Sequence, residues 1–211
     1  MLKRIKDLFN RKKEPSVEDK INTLYDGLYN DPILVNIGED LSKFEKIFFD
    51  IIHELRVEVN DECGFIIPKV PVVYNFSLQE NEFVIYIRGE YERSGFLIPN
   101  EEGIKSEFYD TFKTIIYDKM GSIFTNEVAE RYIDTAQRKN GWLIWNITRV
   151  LSVPDIKIIL SDIINNGKSI NDIGYIFEKI GEEILLDGGY QDYFSKKYNP
   201  HAIAKEIVKI L

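Results

Sequence analysis

"CGFIIPKVPVVYN", residues 63–75, is the stretch on which the fold turns. A run of Phe, Ile and Val reads as a buried strand, yet Pro68 and Pro71 interrupt it. Proline offers no N–H to a ladder, so in sheets it is confined to strand ends, edges and bulges. Residues 65–73 are therefore predicted to form an edge or broken strand, with the prolines blocking pairing to other chains. Upstream, Phe44, Ile47, Phe48, Ile51, Ile52 and Leu55 recur at spacings of three and four. That period predicts an amphipathic helix from Leu41 to about Glu62, stopped by Gly64 as a left-handed cap. "DPILVNIG" (31–38) precedes it as a β-branched strand bounded by Asp-Pro and Gly. Downstream, a polar turn at Asn75–Asn81 leads into "EFVIYIRG" and "YERSGFLI", joined by a tight hairpin at Gly89-Glu90. Residues 31–98 thus read β-α-β-β-β, a small mixed or mostly antiparallel sheet packed by a long helix.

After Pro99 the pattern becomes all-helical. "EFYDTFKTIIYDKMGSIF" places Phe108, Phe112, Ile115, Ile116 and Met120 on one face. Thr125 is the expected cap of "NEVAERYIDTAQRKN", and Gly141 its expected stop. Pro154 opens "DIKIILSDIIN" as a first-turn proline, and Gly167 closes it. Ser169 and Asp172 suggest a capping box for a helix to about Leu186, and "NPHAIAKEIVKIL" is a final amphipathic helix. The predicted class is α+β, with a mixed sheet and its long helix followed by an all-helical subdomain. The expected division is a basic head and linker (1–15), an α+β subdomain (16–104) and a helical subdomain (105–211).

With 211 residues, 44% of them hydrophobic, the chain can bury one substantial core or two modest ones. Its uncharged apolar runs are strand-length, short of the roughly 20 residues of a membrane span. No signal-peptide pattern follows the basic start. A single cysteine, Cys63, has no internal partner for a disulfide, which fits a reducing compartment. Charge is unevenly placed: residues 1–13 carry a net +5 and residues 14–211 a net −13, giving the −8 of the whole. An acidic body argues against nucleic acid as the main partner. In the head, Leu2, Ile5, Leu8 and Phe9 recur at helical spacing among Lys3, Arg4, Lys6 and Arg11. This basic amphipathic segment is suited to weak contact with an anionic membrane surface, or is simply a soluble N-terminus. "EPS" reads as a linker, followed by a Ser16/Asp19 capping box for a helix to about Leu28.

Motifs for chemistry are sparse. His53-Glu54 in "HELR" lacks the second histidine of a zinc-protease helix, and two histidines with one cysteine make a poor ligand set. His53 reads as a packed or surface residue, and His201 after "NP" as part of a helix start. The sequence carries no P-loop, dinucleotide-binding glycine pattern or nucleophile elbow. No cofactor or metal is expected, and catalysis is not the expected task. Trp142 and Trp145 either anchor a partner or pack between helices, and the burial habits of Trp favour packing.

Taken together, "DPILVNIG", the following helix, "GFIIPKVPV" and the strand bearing Asn81, Glu82, Phe83, Ile85, Ile87, Arg88 and Gly89 resemble the cytosolic region of a known family. That family is the flagellar and type III secretion export gate (FHIPEP, FlhA-like). "NEVAERYID" and "SINDIGYIFEKI" extend the resemblance over about residues 24–185. By that resemblance this is a reduced, soluble relative, without the membrane domain, the inserted subdomain or the last C-terminal subdomain. Only "PNEEGIKSE" is expected to separate hairpin from helices. The resemblance implies a non-catalytic protein-binding or assembly module in the cytoplasm, capable of self-association, and the basic head would place it peripherally at the inner face of a membrane. Candidate partner-binding residues are Phe65, Pro68, Pro71, Trp142 and Trp145, with the last helix as a further surface. Two alternatives stand beside it: a peripheral membrane protein anchored by residues 1–13, and a small hydrolase-like enzyme using a carboxylate cleft.

Overall fold

The structure, a computed structural model, describes residues 30–186 and 198–211. The basic head, the Ser16/Asp19 box and the "DGGYQDY" loop lie outside the described residues. Asp31–Leu211 form one compact unit. β1 (Ile33–Ile37) buries Ile33, Val35 and Ile37 on one face, as alternation requires. A single helical turn, α1 (Glu39–Ser42), leads through Phe44 into α2 (Glu45–Cys63), so the predicted helix is broken at its start. α2 ends at Gly64 in the left-handed region (φ 76°), as its position predicted. β2 (Val72–Tyr74) lies parallel to β1, and β3 (Glu82–Ile87) and β4 (Glu90–Phe96) complete a mixed sheet of order β2-β1-β3-β4. The proline-bearing strand is thus an edge, reduced to three ladder residues. The fold is α+β.

Two details of the β3–β4 hairpin differ from expectation. Its turn centres on Arg88-Gly89 (φ 52° and 84°), one residue before the predicted junction. A left-handed arginine is unusual. It is held because its guanidinium donates from Nε to the Ser122 carbonyl (2.5 Å) and from Nη2 to the Phe124 carbonyl (3.3 Å), at the end of α3 (Glu101–Ile123). The pairing register also slips at Ile85/Tyr86, leaving Glu92 as an extra residue on β4. Glu92 reaches Lys119 of α3 at 3.0 Å.

The helices are α3 (Glu101–Ile123), α4 (Asn126–Lys139), α5 (Gly141–Thr148), α6 (Val153–Asn165), α7 (Ile173–Leu186) and α8 (Pro200–Ile210). Asn100 caps α3 by accepting from the Gly103 N–H (2.8 Å), so "PNEEGIKSE" is the first two turns of that helix and not a separator. Thr125 caps α4 as predicted. Gly141 does not stop α4 but begins α5. Asn140 serves both helices, its N–H donating to the Ala136 carbonyl and its side chain accepting from the Leu143 N–H. α6 carries Pro154 in its first turn and a Ser152/Asp155 capping box, a signal not read from the sequence. The predicted Ser169/Asp172 box resolves into two separate contacts: Asp172 accepts from Tyr175 N–H, while Ser169 Oγ accepts from Asn171 N–H. Between sheet and helices runs a continuous buried core. At its centre the Phe108 ring meets Phe48 (4.8 Å), Phe83 (5.5 Å) and Phe112 (5.4 Å).

Candidate docking surface

Residues 64–71 form an extended strap whose backbone is satisfied mainly by side chains. Arg56 of α2 donates from Nε to the Ile67 carbonyl (2.9 Å) and from Nη2 to the Pro68 carbonyl (3.0 Å). The Tyr132 hydroxyl of α4 donates to the Gly64 carbonyl and accepts from the Ile66 N–H (3.1 Å). Only at Pro71 does the sheet take over, the Val35 N–H donating to the Pro71 carbonyl (3.0 Å). The prolines therefore sit where carbonyls are used and no proline N–H is needed. Burial pushes the Tyr132 phenol up, which favours the hydroxyl form that makes both of its bonds, and it lowers the Arg56 pKa, a cost to the charged form that the two carbonyls help to offset.

The strap is also pinned from behind. The Ile170 N–H donates to the Cys63 carbonyl (2.8 Å), and Asn171 Nδ2 donates to the Asp61 carbonyl (3.1 Å). A Cβ on Gly64 would lie 2.5 Å from the Asn171 nitrogen, which requires glycine on space as well as on φ. The Cys63 thiol is half-buried, donates to the Val59 carbonyl and is pushed up in pKa by burial.

Phe65 is completely buried (0% exposed), its ring 5.7 Å from Phe124, which in turn stacks on Tyr132 (5.8 Å). Its expected role as a partner-binding residue is corrected: side chains alternate along an extended chain, and Phe65 takes the inner side. Ile66 takes the outer side, with Pro68 and Pro71 half-buried. Trp142 and Trp145 are exposed (69% and 51%), which overturns the packing alternative. α5 turns Ile144 and Ile147 inward, leaving both indoles on the solvent side. The last helix buries its apolar face, Ile203, Ala204 and Ile207, and of its large apolar side chains only Ile210 and Leu211 at the end are exposed. His53 is exposed, and His201 Nδ1 meets Asp162 Oδ2 at 2.6 Å.

A groove of about 740 Å³ opens beside the strap, lined by Ile66 and by Arg131, Asp134, Thr135, Gln137 and Arg138 of α4. Sequence reading missed these α4 residues. The available signal was charge, because Thr135–Pro154 carries Arg138, Lys139 and Arg149 and no carboxylate, in a chain of net charge −8. Arg131 pairs with Glu127 (3.0 Å) and Arg138 donates to Thr135 Oγ1 (3.1 Å), so both guanidinium groups are held along the helix. A second hollow involves Glu101, Glu102, Lys105 and Ser106 at the start of α3. There Lys105 donates to Glu101 (2.7 Å) and holds its carboxyl below the usual range. Among the described residues no group of three or more His, Cys, Asp or Glu could hold a metal ion, and no helix is long and apolar enough to cross a membrane.

No protein-family model matches the chain, and no curated protein sequence does. Solved structures do match. In the Chlamydia pneumoniae CdsV and CdsO protein complex, the similar chain is 13% identical with a TM-score of 0.63, over 83% of this chain and 68% of that one. Nonameric EPEC SctV-C is 15% identical with a TM-score of 0.61, over 86% of this chain and 65% of that one. The Shigella flexneri MxiA protein is 12% identical with a TM-score of 0.58, over 85% of this chain and 62% of that one. The chain thus spans about two thirds of the length of these proteins. At such identities the likeness is one of architecture, and the architecture is that of the cytosolic domains of type III secretion export-gate proteins.

Proposed function

We propose that this protein is a non-catalytic binding and assembly module of a protein-export machine, FlhA-like in architecture and working in the cytoplasm. The observation that supports the reading most is the match to export-gate cytosolic domains along more than four fifths of the chain. At that coverage the match includes parts of both the sheet and the helices. The neighbours include the CdsV–CdsO complex and nonameric assemblies, which favours protein partners and self-association here. Pro68 and Pro71 keep the β2 edge from indiscriminate strand pairing, and the exposed indoles offer anchors for a specific contact. Residues 1–13, with a net +5, supply weak attraction to an anionic membrane face.

The test is the solution mass of the full chain, by light scattering after size exclusion and by native mass spectrometry. The expected result is a concentration-dependent species heavier than a monomer. A strict monomer across the accessible concentration range would remove self-assembly from the proposal. Flotation with anionic liposomes, with and without residues 1–13, tests the head. Equal flotation of both forms would exclude it as the anchor.

A further inference from the structure

The geometry points to a second, more specific property: the elbow between α4 and α5, with the groove beside it, docks an acidic peptide segment of a partner protein. The inference rests on the reading above, that the module binds proteins.

The elbow is rigidly placed. Asn140 closes one helix and opens the next, fixing the bend. α5 lies close on α7 because Gly181 has no side chain, and a Cβ there would come within 2.9 Å of Leu143 Cδ1. With Ile144 and Ile147 buried on the inner side, the indoles are set outward by packing and not by a loose tail. Exposed Trp held rigidly is costly to leave in water and typical of anchor positions. The Arg149 guanidinium lies 4.4 Å from the Trp145 ring centroid, joining cation to aromatic surface. Arg138 lines the groove and lies four residues before Trp142.

Charge selects the occupant. Thr135–Pro154 carries three cations and no carboxylate, and the groove itself sets two arginines, Arg131 and Arg138, against one carboxylate, Asp134, while the rest of the chain after the head is acidic. A single extended or helical segment fits a concave groove better than a folded face does. It would carry carboxylates for Arg138 and Lys139 and an apolar side chain to cover the indoles.

Trp142 and Trp145 are the chain's two tryptophans, so all of its indole fluorescence reports on this site. The experiment uses the full chain and a short synthetic peptide alternating glutamate and leucine, with its lysine–leucine counterpart as control. The expected outcome is a blue shift and protection from iodide quenching with the acidic peptide only, weakening with salt. Labelled-peptide anisotropy should then show about tenfold or greater loss of affinity in Arg138→Glu and in Trp142→Ala, about 1.4 kcal/mol per factor of ten. Both positions are exposed, so folding should survive, which circular dichroism checks. No binding, equal binding of the lysine peptide, or indifference to both substitutions would each overturn the inference. So would indole protection on phosphatidylglycerol vesicles alone, on duplex DNA alone, or with rising protein concentration alone, since the occupant would then be lipid, nucleic acid or a second copy. The solution mass stays independent of these outcomes, so an oligomer that ignores the acidic peptide would sink the docking site and leave the assembly reading standing.

Discussion

Tyr132→Phe removes one oxygen and keeps the ring, so it isolates how the strap is held. The hydroxyl both accepts from the Ile66 N–H and donates to the Gly64 carbonyl, at a residue only 8% exposed. Without it, two backbone groups in a part-buried setting lose their partner together. Leaving a buried polar group unpaired costs about 1–3 kcal/mol. Ile66 is itself 40% exposed, so water can reach part of the gap, and the low end of the doubled range applies, about 2–3 kcal/mol. Stacking of the ring on Phe124 survives, so little of the loss is packing. For a domain of this size the expected fall in Tm is about 4–12 °C. Urea unfolding followed by circular dichroism should show a lower midpoint with an unchanged slope. Hydrogen exchange at the Ile66 amide should accelerate more than at Val35, whose bond to Pro71 is untouched. A loss under about 0.5 kcal/mol, or uniform acceleration at both amides, would refute the claim that this phenol takes the place of a ladder.

Gly64→Ala should destabilise by more than the ~1 kcal/mol of a left-handed alanine, because its methyl meets the Asn171 backbone at 2.5 Å. Urea titration checks this, and a loss of about 1 kcal/mol or less would mean that the 170–171 loop yields freely. Tyr109 donates to Glu58, which also pairs with Lys113, and this raises the Tyr109 pKa to about 12 while lowering that of Glu58. The raised phenol contributes stability that is present below its ordinary pKa of 10 and lost as pH rises through about 12. The lowered carboxyl contributes stability that is lost as pH falls through its folded value. Difference absorbance against Tyr109→Phe should show late phenolate formation that moves back toward pH 10 in Glu58→Gln, and an ordinary midpoint in the unsubstituted protein would contradict the pairing.

What could be read from the sequence was local. The period of α2, the Gly64 cap, the Thr125 cap and the first-turn proline of α6 each depend on a few neighbouring residues, and each stands. Much of what went astray depends on residues far along the chain. The hairpin centres on Arg88 because Ser122 and Phe124, more than 30 residues away, receive its guanidinium. Gly141 is a local exception: its neighbour Asn140 caps two helices at once, through Ala136 and Leu143. At the candidate site, Phe65 and Ile66 are equally apolar in sequence, and only the register of the strap against α4 decides which is buried. The tryptophans were misjudged for the same reason, since their exposure depends on α5 seating against Gly181.

The two prolines and the two tryptophans bear on opposite halves of one problem. A module that meets other proteins must block indiscriminate pairing at its sheet edge and still offer a chosen surface. Pro68 and Pro71 shorten β2 to three ladder residues, and the backbone this leaves unpaired in the strap would cost stability if nothing replaced the ladder. Arg56 and Tyr132 replace it, one from the sheet's own helix and one from the helical half. The strap is thereby tied to both halves by side chains. Its outer face, at Ile66, lines the groove together with Arg138, two residues before the elbow at Asn140. Disturbing the Tyr132 clamp should therefore weaken acidic-peptide binding as well as stability, whereas Trp142→Ala should weaken binding alone. That asymmetry distinguishes a surface built on the strap from one that merely lies beside it.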